Sequence, residues 1–234
     1  MKAWSTGNEK DKRYPEYAHI PGIVAIGGDL SVDRLLFAYA NGIFPWYDED
    51  EPILWWSLSP RMVLFPEELV VSKSMRPYFN QVKFTVTFNH NFAQVMHACK
   101  SVSRNRQAGG SWITEEIVTA YTQLNKLGYA HSVEVWQNDE LVGGLYGVGL
   151  GRIFFGESMF ARVPNASKFG FITWVRLLDA LGIWLIDCQQ ETAHLGSMGA
   201  KPISISLFNA FLEKNTQEPH ILKSWSETQP AFNL

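Results

Sequence analysis

The segment that most constrains the fold spans residues 141–190, where two glycine-rich apolar stretches lead into the sequence GESMF. A helix predicted over residues 166–181 follows, and because it is apolar on most of its faces it has to be buried. The short apolar runs at 141–148 and 184–188 have the pattern of strands. A buried helix between strands predicts a layered domain built on a sheet.

Two polar side chains near the end of the last strand pattern are the best site candidates. Side chains of a strand alternate between its faces, so we expect Asp187 and Gln189 on one face and Cys188 on the other. Cys188 is predicted to be a buried thiol, as free cysteines usually are. The apolar residues around the pair would form a wall beside it.

Two other features allow two interpretations each. The glycines of residues 143–149 are too many for an ordinary strand and indicate either a tightly packed bulge or the close approach of a ligand to the backbone. Trp46 and Trp112 lie in a turn and a loop beside polar residues. Each either packs against the protein or stacks on a nucleobase, which is worth about 1–3 kcal/mol per base.

The rest of the chain mixes strand and helix patterns without a strict βαβ period, which favours an α/β or α+β fold with a mixed sheet. Pro60 marks a boundary, so we predict a small N-terminal domain over residues 1–60 and a larger domain over 61–234. The tail from residue 216 is predicted to be irregular. The predicted helix N-caps are Asn89, Thr114 and Asn165.

The net charge of −3, from 20 basic and 23 acidic residues, argues against a nucleic-acid partner. The charges are unevenly distributed, however, because residues 69–114 contain no acidic side chain. Its basic residues are Lys73, Arg76, Lys83, Lys100, Arg104 and Arg106. Such a segment is either a solvated basic face or the electrostatic footprint of a polyanion.

Several protein classes are disfavoured by what the sequence lacks. The motifs GxGxxG, GxxxxGK[ST], GxSxG and HExxH are absent, and the histidines have no metal-ligand spacing, so we expect no metal and read His131 as a structural hydrogen-bonding residue. Two cysteines outside any CxxC pair indicate a reduced, cytoplasmic setting. The N-terminus lacks a signal-peptide pattern, and no apolar run reaches the about 20 residues of a membrane helix, so we expect no membrane partner.

The chain resembles the bacterial leucyl/phenylalanyl-tRNA–protein transferases in blocks that follow the family order. These blocks are IPGIVAIGGDLSVDRLLFAYANGIFPWY, ILWWSLSPRMVLFPEEL, WITEEIVTAY, HSVEVWQNDELVGGLYGV, FFGESMFARVPNASK and LIDCQ. The resemblance implies an enzyme that moves Leu or Phe, and less readily Met, from aminoacyl-tRNA to the α-amine of proteins beginning with Arg or Lys. Its product feeds the bacterial N-degron pathway. The implied fold is α+β, with a small N-terminal domain and a larger domain similar to the GNAT acyltransferases.

The resemblance also implies roles for individual residues. The catalytic pair falls on Asp187 and Gln189, and Glu157 faces the basic N-terminus of the acceptor protein. The aminoacyl side-chain pocket falls on Leu145, Phe154, Met159, Trp174, Leu178 and Ile186. The residues that stack on the 3′-terminal adenosine are Trp46 and Trp112, with Tyr39 nearby. Contacts with the tRNA backbone fall on Lys73, Arg76, Lys83, Arg104 and Arg106.

Three positions of the implied pocket depart from the usual family residues. Leu145 stands where the family usually has Met, and Trp174 and Leu178 stand where it usually has Phe. All three are apolar, so the class of side chain accepted should hold. The preference among Leu, Phe and Met stays open.

The implied reaction is the aminolysis of an ester that is already activated, so it requires no cofactor, metal or enzyme nucleophile. An amide is a very weak base. We therefore expect Gln189 to orient the attacking amine through its carbonyl oxygen, while Asp187 polarises Gln189 or accepts the proton by relay. The expected partners are Leu-tRNA, Phe-tRNA and the acceptor protein, bound by a monomer.

Two other functions remain as alternatives. One is a GNAT-type enzyme that uses acetyl-CoA, because residues 106–111 approach the [QR]xxGx[GA] pattern but end in Ser. The other is a non-catalytic adaptor that binds aminoacyl-tRNA or peptide N-termini. An adaptor would tolerate the loss of Asp187 and Gln189, and the presence of both disfavours it.

Overall fold

The computed structural model describes Tyr17 and residues 19–81, 83–104 and 111–228. Its strands are β1 (Ile23–Ile26), β2 (Phe44–Pro45), β3 (Leu54–Trp56), β4 (Arg61–Leu64), β5 (Thr85–Phe88), β6 (Ala130–Gln137), β7 (Glu140–Leu150), β8 (Ile153–Ala161), β9 (Leu185–Gln189) and β10 (Lys201–Ile203). Its helices are α1 (Val32–Ala40), α2 (Arg76–Asn80), α3 (Phe92–Arg104), α4 (Glu115–Lys126), α5 (Ala166–Ala180), α6 (Ala193–Gly196), α7 (Ile205–Asn215) and α8 (Ile221–Thr228). The α+β prediction is confirmed.

A three-stranded antiparallel sheet, in the order β1-β3-β2, lies beside α1. The helix buries Leu35, Ala38 and Tyr39, whose spacing of three and four residues places them on one face. Gly42 follows the helix with a φ of +70°, and a Cβ there would lie 2.8 Å from the ring of Phe208 on α7. The chain after α1 therefore packs closely against the C-terminal part of the molecule.

A seven-stranded sheet, in the order β10-β4-β9-β8-β7-β6-β5, forms the larger unit. Neighbouring strands are antiparallel except β8 and β9, which are parallel and joined by the buried helix α5. In this register Phe155 lies opposite Asp187. Gly156 and Glu157 therefore come beside the last residues of β9, which brings GESMF next to LIDCQ.

The glycines of β7 allow close packing from two directions. A Cβ at Gly143 would lie 2.7 Å from the Cβ of Ala166 on α5, and a Cβ at Gly144 would lie 2.6 Å from the carbonyl oxygen of Val133 on β6. Real Cβ atoms do not approach that closely, so both positions exclude larger residues. These contacts favour the tight-packing interpretation of the glycines.

Thr114 and Asn165 both occupy the N-cap position as predicted, but only Thr114 makes a side-chain capping bond. The side chain of Thr114 accepts a hydrogen bond of 3.2 Å from the backbone nitrogen of Ile117 and so caps α4. Asn165 precedes α5 in the left-handed conformation, with a φ of 69°, and makes no capping bond. Its Nδ2 donates to the hydroxyl of Tyr78 at 3.0 Å instead.

Asn89 does not cap a helix, and its side chain instead forms hydrogen bonds with the neighbouring strand β6. Its φ is 55°, and its Oδ1 accepts from the backbone nitrogen of Ser132 at 3.0 Å, while α3 begins three residues later at Phe92. Its Nδ2 lies 3.2 Å from Nδ1 of His131. His131 is buried on β6, where burial lowers its pKa to about 3, and its contact with Asn89 agrees with the prediction of a structural hydrogen-bonding residue.

The prediction of an irregular tail is wrong, because α8 lies within it. Leu222 and Trp225 of this helix are buried against the larger sheet. A Cβ at Gly149 would lie 2.7 Å from Leu222, so the last glycine of β7 provides the room in which the helix docks.

Candidate active site

A cavity of about 680 Å³ is lined by β2, β7, β8, β9 and the first turns of α5 and α6. Its volume lies within the roughly 300–1,000 Å³ of typical small-molecule sites. The residues expected at the site that line the cavity are Trp46, Trp112, Leu145, Phe154, Glu157, Met159, Ile186 and Gln189. Eight of the twelve residues expected in the site, the tRNA contacts aside, therefore line the cavity.

One part of the cavity wall is apolar. It consists of Leu145 on β7, Phe154 and Met159 on β8, and Ile186 on β9. These strands are neighbours in the sheet, and the four side chains project on the same face of it. Phe171 on α5 also lines this part, and the sequence analysis did not single it out.

Trp174 and Leu178 are not among the residues that line the cavity. Both are fully buried behind it, and the ring centroid of Trp174 lies 5.3 Å from that of Phe154. The reason is the direction of α5, which turns only Ser167 and Phe171 of its first turns towards the cavity. Trp174 therefore contacts the cavity wall, not its contents.

Trp46 and Trp112 are half-buried and lie on the cavity wall near β2. Trp46 packs on Trp56, with ring centroids 5.4 Å apart, so its position is fixed from behind. Tyr39 does not line the cavity, contrary to its expected place near the adenosine. It is fully buried on α1 and its hydroxyl donates to Glu157.

Asp187 forms a buried ion pair that the sequence analysis missed. Nε and Nη2 of Arg61 donate to its two carboxylate oxygens at 2.7 and 2.6 Å, and both side chains are 1% exposed or less. Phe44 and Phe208 flank the guanidinium, with ring centroids 5.0 and 4.7 Å away. The available signal was an arginine at the start of the otherwise apolar run RMVL. Asp187 itself does not line the cavity.

Gln189 lines the cavity, but not by strand alternation. Its φ is +54°, which breaks the extended backbone at the end of β9. Ile186, Cys188 and Gln189 consequently all line the cavity, while Asp187 lies away from it, so the predicted division of faces is wrong. Oδ1 of Asp187 accepts from the backbone nitrogen of Gln189 at 3.0 Å and stabilises this turn.

The side-chain amide of Gln189 has an unused donor. Its Nε2 is buried and has no hydrogen-bond partner among residues 19–81, 83–104 and 111–228. A buried amide group without a partner costs about 1–3 kcal/mol. An amide in a cavity wall with an unsatisfied donor is suited to bind a polar group of a ligand.

Glu157 is held at the cavity by two tyrosines. The hydroxyl of Tyr39 donates to Oε1 at 2.7 Å, the hydroxyl of Tyr121 donates to Oε2 at 3.5 Å, and the two hydroxyls contact each other. Burial raises the pKa of Glu157 to about 8, with the charge of Asp187 adding to the shift and the bond from Tyr39 opposing it. Tyr121 was missed because it lies on the apolar face of α4.

Two family models together match most of the chain. The family model of the leucyl/phenylalanyl-tRNA protein transferases matches residues 63–213, and the model of their N-terminal domain matches residues 28–59. The chain belongs to the leucyl/phenylalanyl-tRNA protein transferase family.

Relatives of the same name are similar over most of their length. A leucyl/phenylalanyl-tRNA–protein transferase of Pseudomonas fluorescens (strain SBW25) is 53% identical over 85% of this chain and 87% of that protein. One of Syntrophobacter fumaroxidans is 53% identical over 90% of both chains. A solved structure of a conserved protein of unknown function from Bacteroides thetaiotaomicron VPI-5482 has a TM-score of 0.45 at 12% identity, covering 80% of this chain and 60% of that one.

Among the basic residues expected to contact tRNA, Lys73, Arg76 and Lys83 do not line the cavity. Lys73, Arg76 and Lys83 are exposed in and around α2. Arg104 ends α3, and its side chain lies outside the described residues, as does the whole of Arg106. Three of the five basic residues expected to contact the tRNA backbone are therefore exposed in the described part of the chain.

The described residues contain neither a group suited to a metal ion nor a membrane-spanning helix. No group of three or more His, Cys, Asp or Glu side chains there is arranged to hold a metal ion. None of the helices there combines the length and the hydrophobicity needed to cross a membrane.

Proposed function

We propose that this transferase moves Leu or Phe, and less readily Met, from aminoacyl-tRNA to the α-amine of proteins that begin with Arg or Lys. The observation that carries the proposal is one cavity whose wall combines an apolar part, two tryptophans, an amide and a carboxyl group. An aminoacyl adenosine needs the apolar part, a tryptophan and the amide. An amine acceptor needs the amide and the carboxyl group. Its product would be a degradation signal of the bacterial N-degron pathway.

The amino acid side chain is proposed to bind in the apolar part of the cavity. Leu145, Phe154, Met159 and Ile186 would contact it, and Trp174 and Leu178 would shape that wall from behind. An apolar pocket distinguishes a methylene group by only about 1–3 kcal/mol, so several unbranched or γ-branched side chains should be accepted to different degrees. The adenine base would stack on Trp46 or Trp112.

Gln189 is proposed as a catalytic residue and Asp187 as a positioning residue. The Gln189 amide would orient the attacking amine at the ester carbonyl, which raises the rate by fixing the geometry of the reactants. Both carboxylate oxygens of Asp187 accept from Arg61, and one also accepts from the Gln189 backbone. Asp187 would therefore act by holding the turn at Gln189.

We also propose the division into two domains and the fold of the larger one. Residues 1–60 would form a small N-terminal domain that contains the three-stranded sheet, and residues 61–234 the catalytic domain. The strand order and the parallel β8–β9 pair support a GNAT-like arrangement of the larger sheet. We further propose a monomer that acts in the cytoplasm, where charged tRNA is found, with Lys73, Arg76, Lys83, Arg104 and Arg106 along the tRNA backbone.

The experiment uses purified protein, radiolabelled Phe-tRNA and a peptide that begins with Arg. Formation of labelled Phe-peptide, with a matched peptide that begins with Ala giving none, is the expected result. Product that appears only when acetyl-CoA is added, and that carries an acetyl group, would instead identify an acetyltransferase. Binding of Phe-tRNA without any transfer would identify an adaptor.

A further inference from the structure

The transfer proposed above releases a proton from the attacking amine, and the wall of the cavity limits which group can accept it. Asp187 is excluded because it is fully buried, does not line the cavity and has both oxygens bonded to Arg61. Gln189 is excluded because an amide is a very weak base. The ionisable side chains that line the cavity within the described residues are Tyr146, Glu157, Cys188 and His194.

Three of these four groups are poor proton acceptors. Burial raises the pKa of the Tyr146 hydroxyl and of the Cys188 thiol, so both keep their own protons at neutral pH. Burial and the nearby charge of Lys168 lower the pKa of His194, which makes its imidazole a weaker base. Glu157 is the carboxyl group among them.

We propose that Glu157 accepts the proton from the attacking α-amine and passes it to the ribose oxygen that leaves. This assignment rests on the proposed aminoacyl transfer and gives Glu157 a catalytic role beyond contact with the acceptor's N-terminus. Two tyrosines fix its carboxyl group, at 2.7 Å from Tyr39 and 3.5 Å from Tyr121. Glu157 and Gln189 line the same cavity, and the parallel pairing of β8 with β9 places Glu157 beside the end of β9, so an amine oriented by the amide would lie near the carboxyl group.

The step balances without any other reactant. The amine nitrogen forms a bond to the ester carbonyl carbon, and the carbonyl electron pair moves to oxygen. The nitrogen, now positively charged, gives one proton to Glu157. The carbonyl reforms, the bond to the 3′ oxygen of ribose breaks, and that oxygen takes the proton from Glu157. The products are an amide and a free ribose hydroxyl, and Glu157 is a carboxylate again.

The surroundings of Glu157 suit an acid–base group near neutral pH. The charged or titratable groups that face it are Tyr39 on α1, Arg61 on β4, Tyr121 on α4, Tyr146 on β7 and Asp187 on β9. Burial raises the pKa of Glu157 to about 8, close to the roughly 8 of a free α-amine. A base whose pKa lies near the working pH can accept a proton and give it back with only a small free-energy difference in either direction.

The test measures single-turnover transfer from Phe-tRNA to an Arg-starting peptide, both saturating, across pH 6 to 9.5. For the wild type we expect a rate that rises with pH as both the α-amine and Glu157 lose their protons, and that levels off above their pKa values. The Glu157→Gln variant keeps an acceptor for Tyr39 but cannot take a proton. Its rate should fall by about 10²–10⁴-fold. The ratio of the wild-type rate to the variant rate should rise with pH until Glu157 is deprotonated, because the α-amine titrates alike in both reactions. Added formate should restore part of the rate of Glu157→Ala, because a small carboxylate can replace the missing base.

Other results would overturn the inference. A Glu157→Gln variant with a raised KM for the peptide and a maximal rate equal to that of the wild type at every pH would show that Glu157 only binds the acceptor. A ratio of wild-type rate to variant rate that changes with pH for His194→Gln and stays constant for Glu157→Gln would assign the proton to the imidazole. No product with the wild type would overturn the proposed function and this inference with it. Product with the wild type and an unaltered profile in Glu157→Gln would overturn this inference alone.

Discussion

The buried pair of Arg61 and Asp187 allows a sharp prediction about stability. Replacing Asp187 with Asn keeps an oxygen for the backbone nitrogen of Gln189 but leaves a guanidinium that is 1% exposed without its carboxylate. Removing one partner of a buried ion pair costs about 3–5 kcal/mol, because the remaining charge is neither solvated nor paired. For a chain of 234 residues this loss lowers Tm by on the order of 10 °C.

A double-mutant cycle separates the pair from its surroundings. Arg61→Met alone should lose a similar amount, since it leaves the carboxylate of Asp187 buried. The double variant of Arg61→Met with Asp187→Asn has no buried charge at this position and should lie within about 1–2 kcal/mol of the wild type. Glu68→Gln is the matched control, because the Glu68–Lys201 pair is 42% and 48% exposed and should contribute less than about 1 kcal/mol.

Urea unfolding at pH 7, followed by tryptophan fluorescence, measures the free energy of unfolding of the wild type and of each of the four variants. The reasoning is refuted if Asp187→Asn loses less than about 1 kcal/mol, or if the losses of the two single variants add in the double variant. Either result would show that solvent reaches the pair or that the guanidinium finds another partner.

Three further predictions concern binding, selectivity and pH. Trp112→Ala should weaken Phe-tRNA binding by about 1–3 kcal/mol in a filter-binding assay, while Trp184→Ala, at a residue that does not line the cavity, leaves the affinity unchanged; equal affinities of the wild type and Trp112→Ala would exclude stacking on Trp112. Ile-tRNA should give little product compared with Leu-tRNA, because a β-branch widens the side chain at Cβ; efficient Ile transfer would contradict the proposed pocket. Glu157→Gln should gain stability over the wild type as pH rises from 4.5 to about 8, since only the unfolded wild type releases this proton in that window. Urea titrations at several pH values measure the gain, at most about 5 kcal/mol, and a gain that shrinks with pH would contradict the raised pKa.

The sequence predicted the elements around the site because local pattern specifies them. The apolar faces of α5 require burial. The short apolar runs before and after the helix have the pattern of buried strands. Alternation failed at a single residue. Gln189 adopts a positive φ, which no pattern of polar and apolar residues encodes, and this turn brings it to the cavity while Asp187 stays behind.

The interactions that fix the polar groups could not be predicted, because they join distant parts of the chain. Arg61 and Asp187 are 126 residues apart, and Tyr39 and Glu157 are 118 apart. A resemblance to a family indicated Asp187, Gln189 and Glu157, but not which side chains hold them. Trp174 shows the same limit, since the direction of α5 places it behind the cavity wall.

The most direct test of the account is a crystal structure with puromycin, an aminoacyl-adenosine analogue. The account predicts its aromatic side chain against Phe154 and Met159, its base stacked on Trp46 or Trp112, and its carbonyl group next to Gln189. A base bound elsewhere, or an aromatic side chain outside the apolar part of the cavity, would contradict it.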